Sequence, residues 1–231
     1  MTATKGTTTP LSSKDFPYFR QVWKNVVVAL LAASFVPLII IGGGMYYYAA
    51  DVLKQKTLES LRMQVTSHKN IIDGFLSERT MDLKLLAENL PLDKLTQPGA
   101  LQTVFQSLRD NLPCFQDLGV IDSRGRHRAY VGPYELLSKN YQKAEWFQSV
   151  KSRGVYISDV FLGFRNVPHF VIAVRQAWGD DFWILRATVD TAFFNQVVSE
   201  MVRTSEGDSF LVNRQGIFQT SPRKAGRLMA P

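Results

Sequence analysis

One cysteine, Cys114, and three histidines, His68, His127 and His169, are all that 231 residues offer to metal or thiol chemistry. A single thiol excludes an internal disulfide and any multi-cysteine metal site, and the isolated imidazoles lack zinc-ligand spacing. Cys114 lies in the apolar run Leu112-Pro113-Cys114-Phe115, the setting of a buried, inert thiol. No Gly-x-Ser-x-Gly is present, and Gly42-Gly43-Gly44 is followed by no Lys-Ser or Lys-Thr, so it is no phosphate loop. Asp180-Asp181, just after Gly179, reads as a tight turn rather than a general acid and base. No catalytic set, metal site or cofactor site emerges. Net charge is +7, yet Lys and Arg are scattered singly with no stripe of interleaved aromatics, which argues against a nucleic-acid partner.

Charge is also missing locally. Val26–Ala50 contains no charged residue, and a run of that length crosses a bilayer core as a helix. Trp23 marks one edge and Tyr46, Tyr47 and Tyr48 the other, where amphipathic rings prefer to sit. Pro37 and the glycine run would weaken a soluble helix, but a membrane helix tolerates them. The run is too long, and too far from the start, for a cleaved signal peptide. Lys5, Lys14, Arg20 and Lys24 precede it against Asp15, a bias toward a cytoplasmic N-terminus. The expected order is a cytoplasmic tail over 1–24, a transmembrane helix over 25–50, and extracytoplasmic chain from 51 onward.

From 51 to 90 the pattern is helical. Leu58, Leu61, Val65, His68, Ile72 and Phe75 recur at steps of three and four, and Ile72, Leu76, Leu83, Leu86 and Leu90 form a second row before Pro91. The first row can pair with its copy in a homodimer or pack on the domain that follows. His68 is followed by Lys69-Asn70-Ile71, unlike a phospho-accepting histidine, and reads as a polar residue at a helix seam or as a pH-sensitive dimer contact.

Beyond Pro91 a short helix is expected over Leu101–Leu112. A hairpin follows, from Asp117–Asp122 through the Gly125 turn to His127–Gly132. Helix is expected over Asn140–Val150 and Ala192–Val202, and strands over Gly154–Val160, Pro168–Trp178 and Asp181–Asp190. This is an α+β order with a PAS-like antiparallel sheet, one face of it covered. Ser209-Phe210-Leu211-Val212-Asn213-Arg214-Gln215-Gly216 repeats the pattern of Leu118–Gly125, so a second, similar module is expected to begin and to be cut short. The boundaries are 91–203 for the membrane-distal module and 204–231 for the start of the membrane-proximal one.

Several phrases carry a resemblance. They are Leu118-Gly119-Val120-Ile121-Asp122, Asn140-Tyr141-x-x-Ala144-Glu145-Trp146-Phe147, Val155-Tyr156-Ile157-Ser158-Asp159-Val160-Phe161, Val171-Ile172-Ala173-Val174 and Ile184–Asp190. Together the stretch 51–231 resembles the double Cache extracytoplasmic sensor region, and 154–174 most resembles that of sensor histidine kinases. The resemblance implies small-molecule sensing and signal transduction across the inner membrane, with a chemotaxis receptor or cyclic-dinucleotide synthase as the alternative parent. It implies ATP for a kinase domain outside these residues, a cognate response regulator, and a homodimer. The amino-acid-sensing branch places an Arg two residues before the Trp and a Tyr and an Asp on the strand after Ser-Asp. This chain has Ala144, Phe161 and Gly163 at those positions, so an amino-acid ligand is not carried over.

The ligand-binding candidates are Trp146, Tyr156, Arg165, His169, Arg175 and Asp190. An apolar pocket with a few convergent polar groups is the usual form of such a site. The rings would supply walls, Arg165, His169 and Arg175 would donate to an anion, and Asp190 would receive an amine or hydroxyl. The expected partner is a small polar or anionic metabolite.

Overall fold

The computed structural model describes residues 16–200, 208–224 and 226–231. Its first element, α1, runs Phe16–Asn89 and takes Pro37 within it. The chain divides into two compact units between Gln64 and Val65, and α1 contributes to both.

In the first unit, hydropathy dominates. The best window of α1 has mean hydropathy 2.6, and none of it is buried. Apolar side chains left bare over such a length, as at Leu38, Ile39, Ile40 and Ile41, are what a bilayer covers. Ser34 donates to the Leu30 carbonyl at 2.9 Å, which satisfies its hydroxyl within the helix.

In the second unit, α1 changes role. Ile72, Leu83 and Ala87 are buried, and Phe75, Leu76, Leu86 and Leu90 pack beside them, so the second apolar row joins a core. Leu58 and Leu61 of the first row are exposed. Pro91 supplies no N–H and caps α2, Leu92–Leu95, a turn that the sequence did not reveal. Helix α3, Ala100–Asn111, buries Leu101, Phe105 and Leu108, one helical face.

Five strands follow: β1 Phe115–Asp122, β2 His127–Val131, β3 Val155–Ile157, β4 His169–Trp178 and β5 Asp181–Asp190. Their order in the sheet is β2-β1-β5-β4-β3, and every pairing is antiparallel. This is the PAS-like sheet. Helix α4, Glu145–Arg153, lies between β2 and β3 in sequence, and α5, Thr191–Glu200, follows β5. The expected continuation to Val202 lies outside the described residues.

Both faces of the sheet are covered, against the expectation of one. Trp183, Leu185, Ala187 and Val189 of β5 join α1, α3 and α5 in the larger core. Ile184 on the opposite face joins Trp146, Phe147 and Val150 of α4. Strand side chains alternate between faces, so β5 is buried nearly throughout. Two further expectations are corrected. Helix begins at Glu145, not Asn140, because the Asn140 side chain accepts from Gln142 N–H at 2.8 Å and donates to the Arg124 carbonyl at 3.1 Å. Such local bonds compete with helix. Strand β3 ends at Ile157, where the Ser158 hydroxyl takes the Val171 N–H at 3.0 Å.

The segment 208–231 is packed on this unit. Among its described residues one isolated strand-like bridge joins Val212 to Phe218. Ser221 N–H donates to Asn195 Oδ1 at 3.0 Å, and Arg223 to the Ser199 carbonyl at 3.2 Å, which fixes the segment to α5.

Candidate functional site

A cavity of about 500 Å³ opens on the α4 face of the sheet. Its inner wall starts from a residue that does not line it. Asp117, on β1, is fully buried, and its partner in the sheet register is Thr188 on β5. Asp117 Oδ1 accepts from Arg186 Nη2 at 3.0 Å, Oδ2 accepts from the Tyr130 hydroxyl at 3.0 Å, and Oδ2 also pairs with Arg165. Thr188 Oγ1 accepts from both guanidinium groups, at 2.5 Å from Arg165 and 3.0 Å from Arg186. A buried charge is tolerable only when paired and hydrogen-bonded, and this network pairs it.

Arg186 comes from the centre of β5, and Arg165 from the 3₁₀ turn Gly163–Arg165 that leads toward β4. Aromatic faces hold both groups. The Arg186 guanidinium lies 5.2 Å from the Tyr141 ring and 5.8 Å from Trp146, and that of Arg165 lies 4.8 Å from Tyr134. Burial and then the neighbouring Arg186 charge lower Arg165 to about 9, so it stays protonated at neutral pH.

Two imidazoles flank the cluster. His169 Nδ1 donates to the Val167 carbonyl at 2.8 Å, and its ring lies 4.5 Å from Phe161. Burial first, with Arg165 and Arg186 adding repulsion, holds it neutral down to about 4. His127 is lowered to about 4 in the same way, by burial and by Arg186.

Four polar atoms here are buried without a hydrogen-bond partner: Trp146 Nε1, the Tyr141 hydroxyl, and Nε of Arg165 and of Arg186. All four belong to residues that line the cavity. Orphaned buried polar atoms are rare in proteins, and these four lie in residues grouped around one cavity.

The structure brings Trp146, Tyr156, Arg165 and His169 together on the lining, and leaves Arg175 and Asp190 outside it. Arg175 is exposed, and its guanidinium donates to the Lys151 carbonyl at 2.7 Å. Asp190 Oδ1 accepts from Ala192 N–H at 2.8 Å, capping α5, and Oδ2 accepts from Gln116 at 2.8 Å. Ala144, Phe161 and Gly163 also line the cavity. Sequence reasoning passed over Asp117, Tyr141, Arg186 and Thr188. The available signal was Arg186 itself, a charge inside the apolar run Trp183–Val189. Among the described residues no group of histidine, cysteine and carboxylate side chains is arranged to hold a metal.

No protein-family model matches this sequence, and no curated protein does. Solved structures do match. The ligand-binding domain of the Campylobacter jejuni chemoreceptor Tlp3, in complex with L-valine, superposes with a TM-score of 0.57 at 12% identity, covering 73% of this chain and 72% of that one. The extracellular domain of vpHK1S-Z8, described as a histidine kinase, gives 0.58 at 16% identity, with 74% and 72% covered. The ligand-binding domain of the Pseudomonas fluorescens chemoreceptor CtaA, with L-serine, gives 0.51 at 15% identity, covering 68% of each chain. The chain has the Cache-like fold of these domains. In this Cache-like sheet the cavity lies on the α4 side, while the C-terminal part of α1 packs on the other.

Proposed function

We propose that this chain is the input portion of a transmembrane receptor, which binds a small molecule outside the cell and passes the signal through α1. The observation that carries the reading is the cavity itself, lined by four residues that each hold a buried polar atom without a partner, in a fold shared with ligand-binding domains. The apolar window of α1 supports a membrane anchor, and the flanking charges support a cytoplasmic tail over 1–24 with the inner membrane as location. The exposed Leu58 and Leu61 support pairing of two copies along α1 in a homodimer.

The output favoured here is a histidine kinase, which would use ATP and a response regulator. A chemotaxis receptor is the second reading, favoured by the likeness to Tlp3 and CtaA. Both need the same input step: the ligand must bind one arrangement of the helix pair better than the other, and about 1.4 kcal/mol of preference shifts their ratio tenfold.

The test uses the full chain in lipid nanodiscs, screened by thermal shift against carboxylates, amines and sugars. A binder whose effect is lost in Trp146→Ala supports the reading. A chain that binds none of them contradicts it. An alkaline-phosphatase fusion after residue 100 is active if the sensor unit is extracytoplasmic, and inactive if the orientation is reversed.

A further inference from the structure

The buried charges in the cavity wall do not sum to zero. Asp117, Arg165 and Arg186 meet there with 0%, 9% and 1% of their surface exposed. One carboxylate faces two guanidinium groups, which leaves one positive charge in excess. Arginine keeps its proton in proteins. His127 and His169 beside it are held neutral at physiological pH. Lys143, Glu145 and Asp159 also line the cavity, but all three are exposed, where water and salt screen them. They do not offset the inner charge.

The unmet hydrogen bonds point the same way. Trp146 is 3% exposed and Tyr141 5%, and neither the indole N–H nor the phenol hydroxyl has a partner. Indole and guanidinium N–H groups only donate, so the wall calls for acceptors that carry negative charge. The rest of the lining, Leu136, Phe161 and Phe164 among it, suits a short carbon skeleton.

We propose that the cavity receives a small organic monocarboxylate without an ammonium group, whose carboxylate is bound by Arg165 and Arg186 together with Trp146 and Tyr141. The ligand thereby supplies the one negative charge that Asp117 leaves unmatched. This deepens the sensing reading above and rests on it. A zwitterionic amino acid brings no net charge, and it also buries an ammonium beside two guanidinium groups. A dianion overshoots by one charge.

Pairs of ligands that share a skeleton test this in the full chain, reconstituted in phosphatidylcholine nanodiscs so that the bilayer adds no anion. Isovalerate is titrated against L-valine, and propionate against L-alanine, by calorimetry. At least one acid is expected to bind, with its amino-acid counterpart tenfold or more weaker. Arg186→Met should weaken the acid by roughly 10- to 100-fold, because a charged hydrogen bond is lost. The same variant should leave the ligand-free chain no less heat-resistant, since Asp117 and Arg165 then form a neutral pair. If Arg186→Met does not fold, Trp146→Phe keeps a ring, removes the N–H, and should weaken the acid about tenfold. Amino acids binding better than their deaminated partners, or sugars or amines binding in their place, would overturn the proposal and leave the sensing reading standing. Wild-type affinity for the acid in either folded variant overturns the site assignment. No binding by any of these compounds overturns both.

Discussion

Asn213 donates its side-chain amide to Asp159 across 2.8 Å, which ties the 208–231 segment to the rim of the cavity. One residue on, the buried Val160 N–H donates to Gln219 Oε1 at 2.7 Å. The Asn213 carbonyl oxygen of the same amide group meanwhile accepts from Gln215 and Ile217 N–H, at 3.0 and 2.9 Å, so the turn is rigid where it grips. Gln219→Leu should leave the Val160 N–H unsatisfied and cost about 1–3 kcal/mol. Amide hydrogen exchange should accelerate at Val160 and its neighbours, and the thermal midpoint should fall. Unchanged exchange at Val160 would show that the contact contributes nothing.

Removing Asp117 should be among the most damaging single changes. Asp117→Asn leaves two buried guanidinium groups without their counter-charge, a loss on the order of 3–5 kcal/mol. Tyr130→Phe removes only the neutral donor to the same carboxylate and should cost about 1 kcal/mol. Urea unfolding of both variants gives the comparison, and equal losses would contradict the charge argument.

Acid should destabilise the fold before most carboxylates titrate. His127 and His169 have folded values of about 4, against about 6.5 for an exposed imidazole. The unfolded chain therefore takes up protons first, and protonation favours unfolding. Stability should be flat between about pH 7 and 8 and should fall as pH drops from about 6.5 to 4, by up to about 3 kcal/mol for each ring. Urea midpoints measured across that window test this. In His127→Gln the fall should shrink by about half. A midpoint that rises toward pH 4 would refute the neutral imidazoles.

Gly125 turns β1 into β2 with φ +78°. A Cβ there would lie 2.4 Å from Gln142 N and 2.8 Å from its Cα, both backbone atoms with no rotamer to retreat into. Gly125→Ala should cost about 2–4 kcal/mol, combining left-handed strain with that clash. Differential scanning calorimetry of the variant gives the figure, and a midpoint within a degree of wild type would contradict it.

The elements were legible where one physical cause acted alone. Charge-free Val26–Ala50, the existence of β4 and β5, and the Gly125 turn each announced themselves. Asn140–Ala144 misled because its residues suit a helix while the Asn140 side chain binds backbone instead. Asp190 looked like a ligand group because a lone carboxylate ending a strand reads the same whether it caps a helix or faces a cavity. Arg165 was among the candidates named from the aromatic and basic residues of this stretch, but Asp117 and Arg186 were not. They are separated by most of the module in sequence and meet only because β5 inserts between β1 and β4.

Strand β5 has hydrogen-bonded neighbours on both sides, β1 and β4, along nearly its whole length. Arg186 points to the cavity, while Leu185 and Ala187 on either side of it point to the core that α1 shares. A strand gripped along both edges cannot shift without its neighbours, so Arg186 is coupled through β5 to β1 and β4. The opposite surface of the sheet carries Ile72, Leu83 and Ala87. In the proposed receptor the pocket and the α1 contact would therefore share a single partition, one strand thick, with Arg186 on one side of it and Leu185 and Ala187 on the other.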